Sequence, residues 1–134
     1  MKVNDRLLKN AKTIAVVGLS NHRWRPSYGV SEYVQSAGYR IIPVNPAETE
    51  VLHEKSYASL EEIPEPVDIV NIFRRSEFVP AIVDAVIRLG IPYLWLQDGV
   101  IHDEAVARAR AAGVKCVVND CIYRRHAMRS NVHP

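Results

Sequence analysis

Apolar residues gather in five short runs that spare neither face: TIAVVGL (13–19), YRIIPVN (39–45), VDIVNIF (67–73), PYLWLQ (92–97) and VKCVVN (114–119). Runs this short and this rich in β-branched residues predict parallel strands covered by helices on both sides. Between them the period changes to that of a helix. Val30, Tyr33, Val34 and Ala37 form one apolar stripe, and Val79, Ile82, Val83 and Val86 form another, each with the spacing of a helix face turned toward a sheet. Gly38, Gly90 and Gly113 stand just ahead of three of the strands, where a left-handed helix end favours a residue without Cβ. Ser27, Ser76 and Asp103 occupy expected N-cap positions, and Pro80 falls in a first helical turn, where its missing N–H costs little.

Residues 46–66, PAETEVLHEKSYASLEEIPEP, break the alternation. They predict an irregular crossover with a short edge strand near Val51 and a helical turn at Leu60. The repeated β-α-β unit, with right-handed crossovers, predicts an α/β fold: a single doubly wound, Rossmann-like parallel sheet of five to six strands with helices on both faces. The first strand is expected at its centre, with the order reversing between it and VDIVNIF. That reversal opens a crevice at the C-terminal edge of the sheet. Its walls are the loop Ser20 to Ser27 and the turn Arg74, Arg75, Ser76.

Composition narrows the function. A chain of 134 residues, 48% hydrophobic, is expected to form one compact domain over residues 1–134. Its 17 basic and 15 acidic residues leave a net charge of +2, too balanced for a protein that coats nucleic acid or a membrane surface. No apolar run reaches membrane-spanning length, and MKVNDRLLKN lacks the apolar core of a signal peptide, so a cytoplasmic location is expected. Cys116 and Cys121 match no zinc or redox spacing and read as reduced thiols. The five histidines, His22, His53, His102, His126 and His133, are scattered, and no metal site is expected. Arg124, Arg125 and Arg129 in the tail Tyr123 to Pro134 lack interleaved aromatics, which argues against a nucleic-acid partner.

The crevice carries the chemistry. Arg23 and Arg25 in one loop and Arg74 and Arg75 in the other bring up to four guanidinium groups near two helix N-termini, a setting suited to a ligand with several phosphates. Singly, each reads equally well as a solvated surface arginine. A nicotinamide dinucleotide fits poorly. After Gly18 come Leu19 and Ser20 instead of G-x-G-x-x-G, and the second strand closes on Pro43, Val44, Asn45 and Pro46 with no carboxylate for a ribose. An NAD(P)-type enzyme remains an alternative. Gly18, Leu19 and Ser20 open like a nucleophile elbow, but His22 stands where the second glycine belongs, and no convincing acid, base or nucleophile constellation is present.

On VVGLSNHRWRPSYGV, GYRIIPVNP, VDIVNIFRRSEFV, YLWLQDGV and the late element Asn119, Asp120, Cys121, the chain resembles the small stand-alone CoA-binding proteins related to the CoA-binding domain of the succinyl-CoA synthetase α subunit. These blocks occur in order over nearly the whole chain. The resemblance implies non-catalytic binding of coenzyme A, or a short acyl-CoA, as a small-molecule ligand. It sets the phosphates against Gly18, Ser20, Arg23 and Arg25, with Ser27 and Tyr28 at the helix start. It sets the adenosine near Asn45 and Pro46, and Phe73, Arg74, Arg75 and Ser76 on the other side. Nothing matches the synthetase's phosphohistidine-bearing domain, so ligase activity is not carried over.

Gln97 reaches the same edge, where it is available to a ligand, while Asp98 and Gly99 read equally as a plain turn. Trp24 either stacks on the adenine, covers the crevice or packs against the domain. Cys121 either faces the pantetheine thiol, making the protein a redox carrier that holds CoA as a mixed disulfide, or is a small buried hydrophobe. Cys116, inside its strand, reads as core.

Overall fold

The computed structural model describes residues 3–132. In chain order the elements are α1 (Val3–Asn10), β1 (Thr13–Val17), α2 (Pro26–Ser36), β2 (Arg40–Val44), β3 (Glu50–Val51), β4 (Glu54–Lys55), β5 (Ile69–Ile72), α3 (Val79–Leu89), β6 (Tyr93–Leu96), α4 (Asp103–Ala111), β7 (Lys115–Val117) and α5 (Ile122–Val132). The main sheet has five strands in the order β2-β1-β5-β6-β7, every pair parallel. The expected α/β doubly wound sheet is therefore observed, with β5 and not β1 at its centre. The order reverses between β1 and β5, as predicted, because the chain moves outward from β1 to β2 and then returns to the far side of β1.

Alternation along the strands divides the core in two. Ala15, Val17, Val70, Ile72, Leu94 and Leu96 pack with Val79, Val83 and Val86 of α3 and Val106 and Ala109 of α4. Ile14, Val16, Ile69 and Trp95 pack on the opposite face with Leu7 and Leu8 of α1, Val34 of α2 and Ile122 of α5. Trp95 is fully buried at no polar cost, since its Nε1 donates to the carbonyl of Asp120 at 2.9 Å. Among the described residues no helix is long and apolar enough to cross a membrane.

Several local expectations change. Residues 50–55 form a separate antiparallel hairpin, β3 with β4, instead of an edge strand of the main sheet; the helical turn at Leu60 is a short 3-10 turn, Leu60–Glu62. The expected N-cap residues do other work. Proline's fixed φ starts α2 at Pro26, so the extended residue ahead of it is Arg25 and Ser27 lies inside the helix. Ser76 opens a 3-10 turn ahead of α3, and its Oγ accepts the N–H of Ile101 at 2.9 Å. His102 caps α4, its Nδ1 accepting from the Ala105 N–H at 3.1 Å, while Asp103 sits in the first turn. The buried stripe of α2 is Ser27, Ser31 and Val34; Val30 and Tyr33 are half-buried and Ala37, just past the helix, is exposed. Gly38, Gly90 and Gly113 all take positive φ as expected.

A candidate ligand cleft at the strand ends

A cleft of about 470 Å³ opens at the C-terminal ends of the strands, over the β1/β5 reversal. Gly18 lies at its base. The β1 ladder carries on into it, through Gly18 N–H to the Val44 carbonyl and Phe73 N–H to the Val17 carbonyl, both 2.9 Å. Gly18 takes φ +94°, and a Cβ there would stand 2.8 Å from the Phe73 carbonyl oxygen and 3.0 Å from Cδ of Arg74. A methyl group would meet both a strained dihedral and the backbone of the facing turn.

From Gly18 the chain folds into a braced loop. Ser20 N–H donates to Ser27 Oγ at 3.4 Å, His22 N–H to Ser20 Oγ at 3.1 Å, and Arg25 N–H to the His22 carbonyl at 3.0 Å. Asn21 is tied by its backbone and side-chain N–H groups to the Glu48 carboxylate, at 2.6 and 3.1 Å. This bracing carries Trp24, Arg25, Pro26 and Ser27 to the cleft wall. Trp24 is 75% exposed, with the Arg25 guanidinium 5.0 Å above its ring, so packing into the domain is ruled out for it. On the other side of Gly18, Phe73 and Arg74 form the wall, the Arg74 guanidinium lying 4.0 Å over the Phe78 ring. Among the described residues, neither Arg25 nor Arg74 is paired with a carboxylate.

The far wall is built from the ends of β6 and β7: Gln97, Asp98, Val100 and Cys121. Here the charges are engaged. Arg124 makes a two-pronged ion pair with Asp98, both N···O distances 3.0 Å, and also reaches Asp120 Oδ1 at 2.9 Å. Arg125 binds Asp120 Oδ2 at 3.0 Å. The Arg124 hydrogen bonds hold the Asp98 carboxyl below the usual carboxylate range. Cys121 is half-buried at the start of α5; its N–H donates to Asp120 Oδ1 at 2.9 Å and its carbonyl accepts from Arg125 N–H at 2.9 Å. Cys116 is only half-buried in β7, and burial pushes its thiol pKa upward. Both cysteines are free thiols.

Of the residues singled out from the sequence, the cleft brings together Gly18, Arg25, Ser27, Phe73, Arg74, Gln97 and Cys121. The rest do not line it. Ser20 is buried inside the loop it braces, and Arg23 turns outward over the Tyr28 ring at 5.7 Å. Tyr28 packs on the core. Asn45 is committed to the backbone, donating to the Leu19 carbonyl at 3.1 Å and accepting from Ala47 N–H at 2.9 Å, and Pro46 is exposed. Arg75 projects outward near Glu77, and Ser76 is bonded to Ile101.

Sequence reasoning missed Val30 and Val100 on the wall and the fixed role of Asp98. It also missed α1 and α5, whose polar surfaces obscure the few apolar residues each contributes. The predicted basic tail is largely α5, with Arg124 and Arg125 neutralised by acids. The Arg129 side chain, His133 and Pro134 lie outside the described residues. Among the described residues no His, Cys, Asp or Glu group is arranged to hold a metal ion.

The chain belongs to the CoA-binding domain family, whose sequence model matches residues 12–127. It is 43% identical over 122 residues to the uncharacterized protein YneT of Bacillus subtilis (strain 168), covering 91% of this chain and 90% of YneT. The solved structure of cell-free ID.343 from Thermus thermophilus superposes with a TM-score of 0.89 at 35% identity, over 92% of this chain and 94% of that one. The α subunit of the ADP-forming acetate–CoA ligase II of Pyrococcus furiosus is 38% identical over 71 residues, which are 52% of this chain but 16% of the ligase subunit. The chain thus corresponds to a small part of that enzyme.

Proposed function

We propose that this protein binds coenzyme A, or a short acyl-CoA, in the cleft at the strand ends and does so without catalysing a reaction on it, as a single cytoplasmic domain. The observation that carries this reading is the pair of unpaired guanidinium groups, Arg25 and Arg74, on either side of Gly18 at the β1/β5 reversal. Uncommitted arginines beside a helix start suit pyrophosphate oxygens, and membership of the CoA-binding domain family supports coenzyme A as the ligand. Arg23 and Arg75 lie outside the cleft wall and act through longer-range attraction of the phosphates, with the adenosine extending toward Asn45 and Pro46.

Thermal-shift titration tests the reading. CoA is expected to raise the melting temperature, with NAD and NADP at equal concentration doing so far less. Equal stabilisation by NAD and CoA favours a nicotinamide-dependent enzyme instead. In calorimetry, Arg74→Ala is expected to weaken CoA binding by about 1–3 kcal/mol; unchanged affinity there and in Arg25→Ala removes the phosphates from this site.

A second reading rests on Cys121, whose thiol borders the same cleft. With CoA disulfide as the oxidant, the Cys121 thiolate attacks one sulfur, the other CoA leaves as a thiolate and takes up a proton, and one CoA stays attached as a mixed disulfide. The protein then gains the mass of one CoA less two hydrogens, and dithiothreitol releases it. Cys121→Ser is expected to block the adduct and Cys116→Ser to leave it intact. Wild-type protein that binds CoA disulfide but stays unmodified ends the redox-carrier reading.

A further inference from the structure

Within β5 one position breaks the apolar run. Asn71 pairs in register with Val16 of β1 and Trp95 of β6 and is 2% exposed. A side-chain amide in the middle of a sheet costs stability unless it is hydrogen-bonded, and Asn71 is bonded to one partner: its Oδ1 accepts from Nε2 of Gln97 at 2.9 Å. Gln97 follows β6, is 3% exposed and borders the cleft. An amide side chain offers an acceptor oxygen and two N–H donors. The bond to Asn71 uses one donor, so Gln97 Oε1 and the second N–H have no protein partner among the described residues. The α2 stripe over this face adds a second unmet group, since Ser31 Oγ is buried without a hydrogen bond. These buried polar groups with spare capacity belong to the same face of the sheet, and Gln97 is the one that borders the cleft.

The surroundings define what satisfies Gln97. Arg25 and Arg74 stand at the β1/β5 end, and Gln97 follows β6, the strand beyond β5. Strands lie about 4.8 Å apart, so β6 is about 10 Å from β1 across the sheet. Asp98 on the same wall is held by Arg124, which leaves Gln97 as its polar side chain with spare capacity, in a lining shared with the apolar Val30 and Val100 and with Cys121. A ligand crossing this stretch is an arm with an apolar body and an amide along it. We propose that Gln97 reads a secondary amide of the pantetheine arm of CoA, and that Asn71 is a positioning residue that aims the Gln97 amide into the cleft. This rests on the CoA reading above and deepens it: affinity comes from the nucleotide end, and discrimination for the arm comes from Gln97.

The test compares two probes on the full chain by calorimetry: CoA itself, and phosphoadenosine diphosphate, the same nucleotide without the arm. In Gln97→Met, which keeps side-chain length and removes the amide, CoA affinity is expected to fall about tenfold while affinity for phosphoadenosine diphosphate stays unchanged. Asn71→Leu is expected to give the same selective loss, and unaltered binding of the nucleotide shows that each variant is folded. Equal loss for both probes in Gln97→Met overturns the proposal, because the pair then supports the fold and not the arm. No loss for either probe overturns it as well. If the wild type binds neither CoA nor the nucleotide, the CoA reading itself fails and this inference with it.

Discussion

Arg25 and Arg74 on one side of the cleft, and Arg124 and Arg125 on the other, carry the same charge into opposite circumstances. The first pair rests on aromatic rings, Trp24 and Phe78, with no carboxylate partner among the described residues. The second pair is locked into Asp98 and Asp120 at about 3 Å. Ring stacking keeps a guanidinium in place while leaving its N–H groups available, whereas a two-pronged ion pair consumes them. The near wall is therefore ready for an anion, and the far wall is a brace. Sequence composition does not separate the two, because the acids that neutralise Arg124 lie 26 and 4 residues away.

Gly18 lies between Arg25 and Arg74 at the base of the cleft, and changing it is expected to have the largest effect. Gly18→Ala should cost about 1–3 kcal/mol from the dihedral alone, with the 2.8 Å approach to the Phe73 carbonyl adding to it. Urea unfolding should show the loss, and CoA binding should fall with it as Arg74 is displaced. Next in size, Asp120→Ala removes the acceptor shared by Arg124, Arg125 and the Cys121 N–H, which should cost about 1–3 kcal/mol of stability. Arg25→Ala, its counterpart on the near wall, should move stability by no more than about 0.5 kcal/mol and lose CoA affinity instead. A stability loss in Arg25→Ala equal to that in Asp120→Ala would erase the distinction between the walls.

Salt should sharpen it: raising ionic strength should weaken CoA binding by the wild type more than by Arg74→Ala, because exposed unpaired charges are the ones that screening reaches. The smallest effect concerns pH. Arg124 lowers the Asp98 pKa below its ordinary value of 3.8, so the folded state holds that proton less tightly than the unfolded chain. The contribution to stability is present above the ordinary value and disappears as pH falls through the lowered one. Asp98→Asn should lower stability slightly at neutral pH and flatten the acid limb, so that variant and wild type converge once the pH falls below the lowered pKa; a difference that persists at low pH would mean that the pair acts through something other than charge.

The fold was largely legible because its signal is repeated: five double-sided apolar runs, three left-handed glycines and one crossover that breaks the pattern. The helices at the two ends were not, since α1 contributes Leu7 and Leu8 and α5 contributes Ile122 to the fully closed core, too few for a visible stripe. Cap positions moved for different reasons: the fixed φ of Pro26 starts α2 ahead of Ser27, and at α4 the His102 ring accepts the Ala105 N–H ahead of Asp103. Part of the cleft lining was legible as well. Chain proximity to a strand end identifies Gly18, Arg74 and Gln97, but it does not say which way Arg23 or Asn45 turns, because each is held by a contact specific to its loop. Asn71 carried a signal that was overlooked: one amide inside an otherwise apolar strand.

Arg74 borders a second hollow besides the cleft, one of about 270 Å³ lined by Val17, Val44, Leu60, Phe78 and Ile82. Its aliphatic stem crosses directly over Gly18, and its head lies on Phe78. The side chain thus hangs like a partition between two rooms, hinged on the turn after β5. Held on Phe78, it is a wall common to both rooms, so that Arg74→Ala takes lining from each of them at once.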